Sequence, residues 1–366
     1  MKTQRMAAVS TLALVGVLGL AACGSDNAAP AATGSAGGGS AAAGDCGTGT
    51  LNGEGSSAQK NAVDEVTRTY QQKCSGARVN YNPTGSGAGI KQFNAGQVDF
   101  AGSDSVLKAD EAKTAEAQCK SPAWDIPMVT GPVAIGYNLE GVDKLVLTPA
   151  LLADIFNGKI TTWNDPAIAA VNKDAKLPSS AIRVFFRSDE SGTTENFTNY
   201  LAAAAADKWT AKPAKKWTGK GEGKEKSAGV ATAVKSAPGG ITYVEWSYAK
   251  DNKLGIAQID NGGGPVELTG ANVGKAVEAA KQEGTGNDLK LKLDYATKEA
   301  GAYPILLITY EIVCSKYPDA AKGKNVKAFL KHFASADSQK LIEQVGYAPL
   351  PKSVSDKVTT AIDAIQ

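Results

Sequence analysis

Four short stretches place hydroxyls, glycines and isolated charges where they could hold an oxyanion. They are Gly53-Glu54-Gly55-Ser56-Ser57-Ala58, Gly85-Ser86-Gly87-Ala88-Gly89, Gly102-Ser103-Asp104-Ser105 and Arg187-Ser188-Asp189-Glu190-Ser191-Gly192-Thr193-Thr194. Each follows a run that reads as a strand and leads toward a segment that reads as a helix. A helix start leaves backbone N–H groups without partners and carries the positive end of the helix dipole. The Arg187 guanidinium and the hydroxyls of Ser191, Thr193 and Thr194 would add donors there, which suits anion binding. Ser, Thr and Asp also cap helices, and Gly-Ser-Gly is a common turn. Capping alone accounts poorly for four such turns together with one arginine.

The elements that must position these turns follow from periodicity. Thr50–Asn52, Arg78–Tyr81 and Val98–Ala101 read as strands, alternating with helices over Asn61–Gln72, Ile90–Asn94 and a segment running to about Gln118. In an open α/β sheet, turns of this kind gather at the carboxyl ends of the strands, where ligands bind. The apolar run Ile182–Phe186 reads as a further strand before Arg187, and Glu195–Ala206 as a helix after it. Lys212–Lys226, rich in Gly and Lys, reads as a solvated loop. Ile126–Tyr137, interrupted by Pro127, Gly131 and Pro132, reads as a strand passing from one lobe to another. Pro304–Val313, the most apolar run in the chain, reads as the return. The expected fold is α/β and two-lobed with two crossovers. Residues 45–130 and 303–366 would form the first lobe and residues 131–302 the second.

The chain has 366 residues and a net charge of +2, which gives no basic field for nucleic acid. Lys2 and Arg5 precede an apolar core, Thr11–Leu20, that ends in Leu20-Ala21-Ala22-Cys23. This reads as a lipoprotein signal peptide over residues 1–22, with Cys23 carrying lipid at the extracytoplasmic face of a membrane. Residues 23–44, almost entirely small and polar, read as a tether. Four further cysteines in an exported chain imply two disulfides. Three connectivities are open. Cys46–Cys74 with Cys119–Cys314 is favoured, because Cys46 and Cys74 each lie just before a strand and would meet at one end of two parallel neighbours. With His332 as the sole histidine and no CxxC pair, no metal site is expected and no cofactor is implied.

The stretches 85–93 (GSGAGIKQF), 98–104 (VDFAGSD) and 187–194 (RSDESGTT) resemble signature blocks of the phosphate-binding proteins of the high-affinity phosphate ABC importer. Two further blocks, 156–163 (FNGKITTW) and 239–245 (GGITYVE), are similar to that family as well. The resemblance runs from about residue 48 to the C-terminus, with the blocks in order, and is closest to the actinobacterial lipoprotein members. It implies a periplasmic-binding-protein-like, Venus-flytrap fold and a monomeric receptor that delivers inorganic phosphate to the importer's membrane permease subunits. It also implies site roles. Ser57, the Ala58 N–H and Ser86 would be donors and Asp104 the acceptor. Arg187, held by Asp189, would be the charged donor, and Ser191, Gly192 and Thr193 the helix-start cradle. The first block departs from the family's usual Gly-x-Gly-Ala-Thr-Phe-Pro run. Glu190 stands where a glycine is usual, and its side chain is expected to point away from the anion.

Asp104 carries the expected selectivity. A carboxylate accepts a hydrogen bond from a protonated anion such as phosphate. It is left unpaired against fully deprotonated sulfate, at a cost of about 2–5 kcal/mol. The competing readings are a receptor for another oxyanion, such as sulfate or molybdate, and an extracellular phosphatase. Asp104 argues against the first. The second lacks a nucleophile with a base, a metal cluster and a phosphate-binding P-loop, so the chain is not expected to be an enzyme.

Overall fold

A computed structural model describes residues 46–366; the expected signal peptide, Cys23 and the tether lie outside the described residues. Alternating strands and helices build a nine-stranded sheet. Its strands are β1 (Gly49–Gly55), β2 (Ala77–Asn82), β3 (Phe100–Ser103), β4 (Ala123–Tyr137), β5 (Arg183–Arg187), β6 (Glu222–Lys224), β7 (Gly240–Glu245), β8 (Gly255–Ile256) and β9 (Leu306–Cys314). They lie in the order β2-β1-β3-β9-β4-β7-β5-β6, with β8 paired to β4. Among the described residues no helix is long and apolar enough to cross a membrane.

Two apolar cores hang on this sheet. One gathers residues from Leu51 to Val129 and from Ile312 to Ile365. The other is drawn mainly from Val133 to Val277 and from Ala302 to Tyr310. β4 and β9 run through both, antiparallel to each other, and they are the two crossovers. β4 pairs with β9 over Ala123–Pro132 and with β7 over Val133–Tyr137. The register slips between Thr309 and Tyr310, opposite Val129 and Pro127, so Met128 is the extra residue of a bulge. A proline cannot donate to the ladder, and a bulge beside Pro127 accommodates that.

In the first lobe β1 is parallel to β2 and β3, which puts the turns after all three strands at one edge. Each turn leads to a helix: α1 (Lys60–Lys73), α2 (Ser86–Asn94) and α3 (Ala109–Cys119). In the second lobe β5 is parallel to β7 and β6 and feeds α4 (Gly192–Ala204). α4 starts three residues earlier than the sequence suggests, because Ser191 caps it by accepting from Thr194 N at 3.2 Å. Lys212–Lys226 is largely exposed and irregular, as expected of a solvated loop, but it is pinned to the lobe: Lys215 is buried, β6 pairs with β5, and Trp217 packs between Phe186 and Tyr243.

The disulfides are Cys46–Cys74 and Cys119–Cys314, the favoured connectivity, each with Cα atoms 5.4 Å apart. The first joins the chain ahead of parallel β1 and β2. The second joins the end of α3, just before β4, to the end of β9. His332 is half-buried against Thr69, and burial lowers its pKa.

Candidate functional site

The turns converge. β3 ends at Ser103, and Asp104 follows it, buried to 4% exposure between the lobes. Three hydroxyls from three elements hold its carboxylate. Ser56 Oγ donates to Oδ1 at 2.6 Å, Thr309 Oγ1 to Oδ1 at 2.7 Å and Ser86 Oγ to Oδ2 at 3.1 Å. A carboxylate has about four acceptor positions, so Oδ2 retains capacity for one more donor. Burial pushes the Asp104 pKa up to about 6, opposed by the Ser56 and Thr309 hydroxyls and reinforced by the negative charge of Glu245.

Facing Asp104 is the first turn of α4. A Cβ built on Gly192 would lie 2.6 Å from Ser86 Oγ and 2.7 Å from Asp104 Oδ2. Only a residue without a side chain lets the two lobes meet so closely. Gly192 and Thr193 are the first two residues of α4, and the N–H groups there have no acceptor within the helix. Asn196, one turn on, ties the lobes together by donating to the Asp104 carbonyl at 2.7 Å and to the Gly192 carbonyl at 2.9 Å.

Arg187 ends β5 and is 2% exposed. Its Nε and Nη2 donate to the two carboxylate oxygens of Asp189 at 2.7 and 2.5 Å, a fork-to-fork pair. Nη1 donates to Thr193 Oγ1 at 3.3 Å and to Ser227 Oγ at 3.1 Å. The Asp189 pair and the Glu245 charge outweigh desolvation and raise the arginine's pKa, and Arg187 holds Asp189 below the ordinary carboxylate range despite burial. The second-lobe core fixes the strand that carries Arg187. Tyr243 stacks on Phe197 at 4.6 Å, and its hydroxyl accepts from Arg187 N at 3.2 Å and pairs with Thr194 Oγ1 at 2.7 Å.

In the first block Ser56 reaches Asp104, a contact the resemblance does not imply, and it also accepts from the Ala58 N–H at 3.0 Å. The Ala58 N–H is therefore engaged within its own turn. Ser57 is buried across the cleft from the first turn of α5 (Lys226–Lys235), with its Oγ 3.0 Å from Ser227 Oγ and accepting from Ser227 N at 3.2 Å. Ser191 serves mainly as the α4 cap. The Glu190 carboxylate lies between Lys91 Nζ at 2.5 Å and Lys216 Nζ at 3.3 Å.

Sequence reasoning missed Ser56, Thr309, Ser227, Asn196 and Glu245 as site groups. Thr309 lies in the apolar β9 run and reads as a β-branched strand residue. Glu245 ends a block that the resemblance had marked, and that block was the available signal.

Comparison with known proteins bears on this geometry. The sequence matches the PBP superfamily domain over residues 40–337. It is 46% identical over 374 residues to the phosphate-binding protein PstS 3 of Mycobacterium tuberculosis (strain ATCC 25618 / H37Rv), covering 100% of both chains. It is 33% identical over 314 residues to the phosphate-binding protein PstS of Xylella fastidiosa, covering 84% of this chain and 83% of the relative. Among solved structures, a high-affinity periplasmic phosphate-binding protein bound with phosphate superposes with a TM-score of 0.69 at 24% identity, covering 85% of this chain and 93% of the other. The phosphate-binding protein from Stenotrophomonas maltophilia superposes with a TM-score of 0.63 at 22% identity, again over 85% and 93%. At these identities the structural likeness carries the two-lobed fold.

Proposed function

This chain belongs to the phosphate-binding proteins of the PBP superfamily, and on that premise we propose that it captures inorganic phosphate between its lobes and delivers it to an ABC importer. It is a binding protein and not an enzyme. The observation that carries the reading is Asp104, a buried carboxylate braced by three hydroxyls with one acceptor position open, set against the bare helix start at Gly192.

In this reading Arg187 and the N–H groups of Gly192 and Thr193 supply attraction from the second lobe. Ser86, Ser57 and the turn through Ala58 close over the anion from the first. Ser191 shapes the cradle by capping α4, and Asp189 orients the guanidinium. Asp104 admits an anion that brings a proton and rejects one that does not. Because each lobe contributes part of the ligand set, binding favours the closed arrangement and shifts the population toward it. The lobe boundaries near residues 130 and 303 belong to the same proposal, as do recognition of the closed form by membrane permease subunits and a lipid anchor on Cys23. Calorimetric titration of the protein with phosphate and with sulfate tests the reading. Heat from phosphate alone supports it, and equal binding of the two anions overturns it.

A further inference from the structure

The site holds a second buried carboxylate that phosphate recognition as described does not use. Glu245 ends β7, parallel to β5, at the edge of the sheet where Arg187 ends its own strand. It is fully buried. Thr193 Oγ1 donates to its Oε1, and its Oε2 has no hydrogen-bond partner. The charged and titratable groups that respond to it are Arg187 from β5, Asp104 after β3, Tyr248 from the helix α6 (Trp246–Asp251) and Tyr347 near the C-terminus. The one cation among them, Arg187, is already committed to Asp189.

A hydroxyl has one proton and two lone pairs. Thr193 gives its proton to Glu245 and accepts from Arg187 Nη1, which leaves it a single lone pair. An anion oxygen placed against Thr193 would then meet an acceptor rather than a donor. Turning the hydroxyl to the anion instead would strip buried Glu245 of its one hydrogen bond. The arrangement that keeps it has the anion bring a second proton and donate it to Thr193. That adds one proton to the complex beyond the one that Asp104 receives. The free protein and singly protonated phosphate lack that proton, so it comes from solvent.

We propose that Glu245, acting through Thr193, is a positioning residue that makes phosphate capture take up one proton, so that the closed site holds the anion and two protons between carboxylates from opposite lobes. This rests on the phosphate-binding reading above and deepens it.

The test is calorimetric titration of the full chain with inorganic phosphate, on the alkaline side of neutrality, where free phosphate carries a single proton. Buffers of different ionisation enthalpy report the protons taken up. The wild type is expected to take up about one proton, with affinity weakening roughly tenfold per pH unit. Glu245→Gln should still bind, with uptake near zero and a flat profile. Thr193→Val should lose the uptake while Thr193→Ser keeps it, which provides a readout should Glu245→Gln fail to fold. Wild-type binding without proton uptake overturns the inference, as does equal uptake in wild type, Glu245→Gln and Thr193→Val. A wild type that does not bind phosphate overturns the underlying reading instead.

Discussion

Gly192 and Asp104 face each other across the cleft so closely that a single methyl group on Gly192 would lie 2.6 Å from the Asp104 Cβ. The atoms it would meet are a short carboxylate side chain and the Ser86 hydroxyl, both already fixed by hydrogen bonds. Gly192→Ala should therefore hold the lobes apart. Overpacking of this size costs about 1–3 kcal/mol, equivalent to a loss of phosphate affinity of roughly five- to 150-fold. Thermal unfolding without ligand should barely change, because Gly192 has ordinary helical backbone. Small-angle scattering with phosphate should show a weakened compaction; wild-type compaction and affinity in the variant would contradict the close-approach argument.

Asp104→Asn tests selectivity. The amide Oδ1 is uncharged and a weaker acceptor for the anion's proton than a carboxylate, and the amide Nδ2 presents a donor to which sulfate can bind. Phosphate affinity should fall and sulfate affinity rise, shrinking the discrimination by on the order of a hundredfold, the equivalent of one unpaired buried charge. Titrating both anions into both proteins measures this directly. Unchanged phosphate binding together with continued rejection of sulfate would mean that Asp104 is not the discriminating group.

Acidity should weaken capture for the same reason. Burial lifts the Asp104 pKa to about 6, so the carboxylate that must accept from phosphate takes a proton of its own as pH falls through that value. One unit lower, about a tenth of the sites stay ionised, and affinity should be about tenfold weaker through this group. In Asp104→Asn this acid limb should disappear. If the limb persists there, the titration belongs to another group.

Glu311 governs a stability effect distinct from binding. It lies on β9, fully buried, and neither carboxylate oxygen has a hydrogen-bond partner. Burial raises its pKa from 4.5 to about 8, with Gln59 opposing and Asp104 reinforcing the shift. The fold holds this proton more tightly than the open chain does. The contribution is fully present below pH 4.5 and is lost as pH rises through about 8. In that window each pH unit costs up to about 1.4 kcal/mol. Glu311→Gln should lose stability less steeply than wild type across this window, the remaining slope belonging to buried Asp104 and Asp125, and should be more stable than wild type under alkaline conditions. Parallel melting curves of the two proteins against pH would contradict this.

Much of the site was legible because its chemistry is local. Gly85-Ser86-Gly87 and Arg187 to Thr194 carry their helix starts, glycines and charge in consecutive residues, so a strand followed by such a turn marks itself. The disulfides were legible through strand order, since Cys46 and Cys74 precede neighbouring parallel strands. What escaped depends on contacts distant in sequence. Thr309 reaches Asp104 across 205 positions, from a strand whose composition advertises only burial. Ser227 meets Ser57 across 170 positions, from beyond a Lys- and Gly-rich stretch that reads as solvated but is pinned by Trp217 against Tyr243. The choice between Ser56 and Ser57 as partner of Asp104 depends on the twist of one turn, and adjacent serines do not encode it.

The chain enters the described fold at Cys46, bonded to Cys74 at the end of α1, and finishes at Gln366, whose backbone pairs with Ser315 and Tyr317 beside the end of β9. Both ends belong to the lobe that carries Asp104, and the lobe that carries Arg187 is an excursion returning on β9. Under the proposed anchor and closure, the lobe that carries Asp104 is the mounted jaw and the lobe that carries Arg187 the moving one. A pull arriving at Cys46 would be shared with the end of α1 through the Cys46–Cys74 bond. The moving jaw is therefore the place for a reporter fluorophore, with the mounted jaw as its fixed reference.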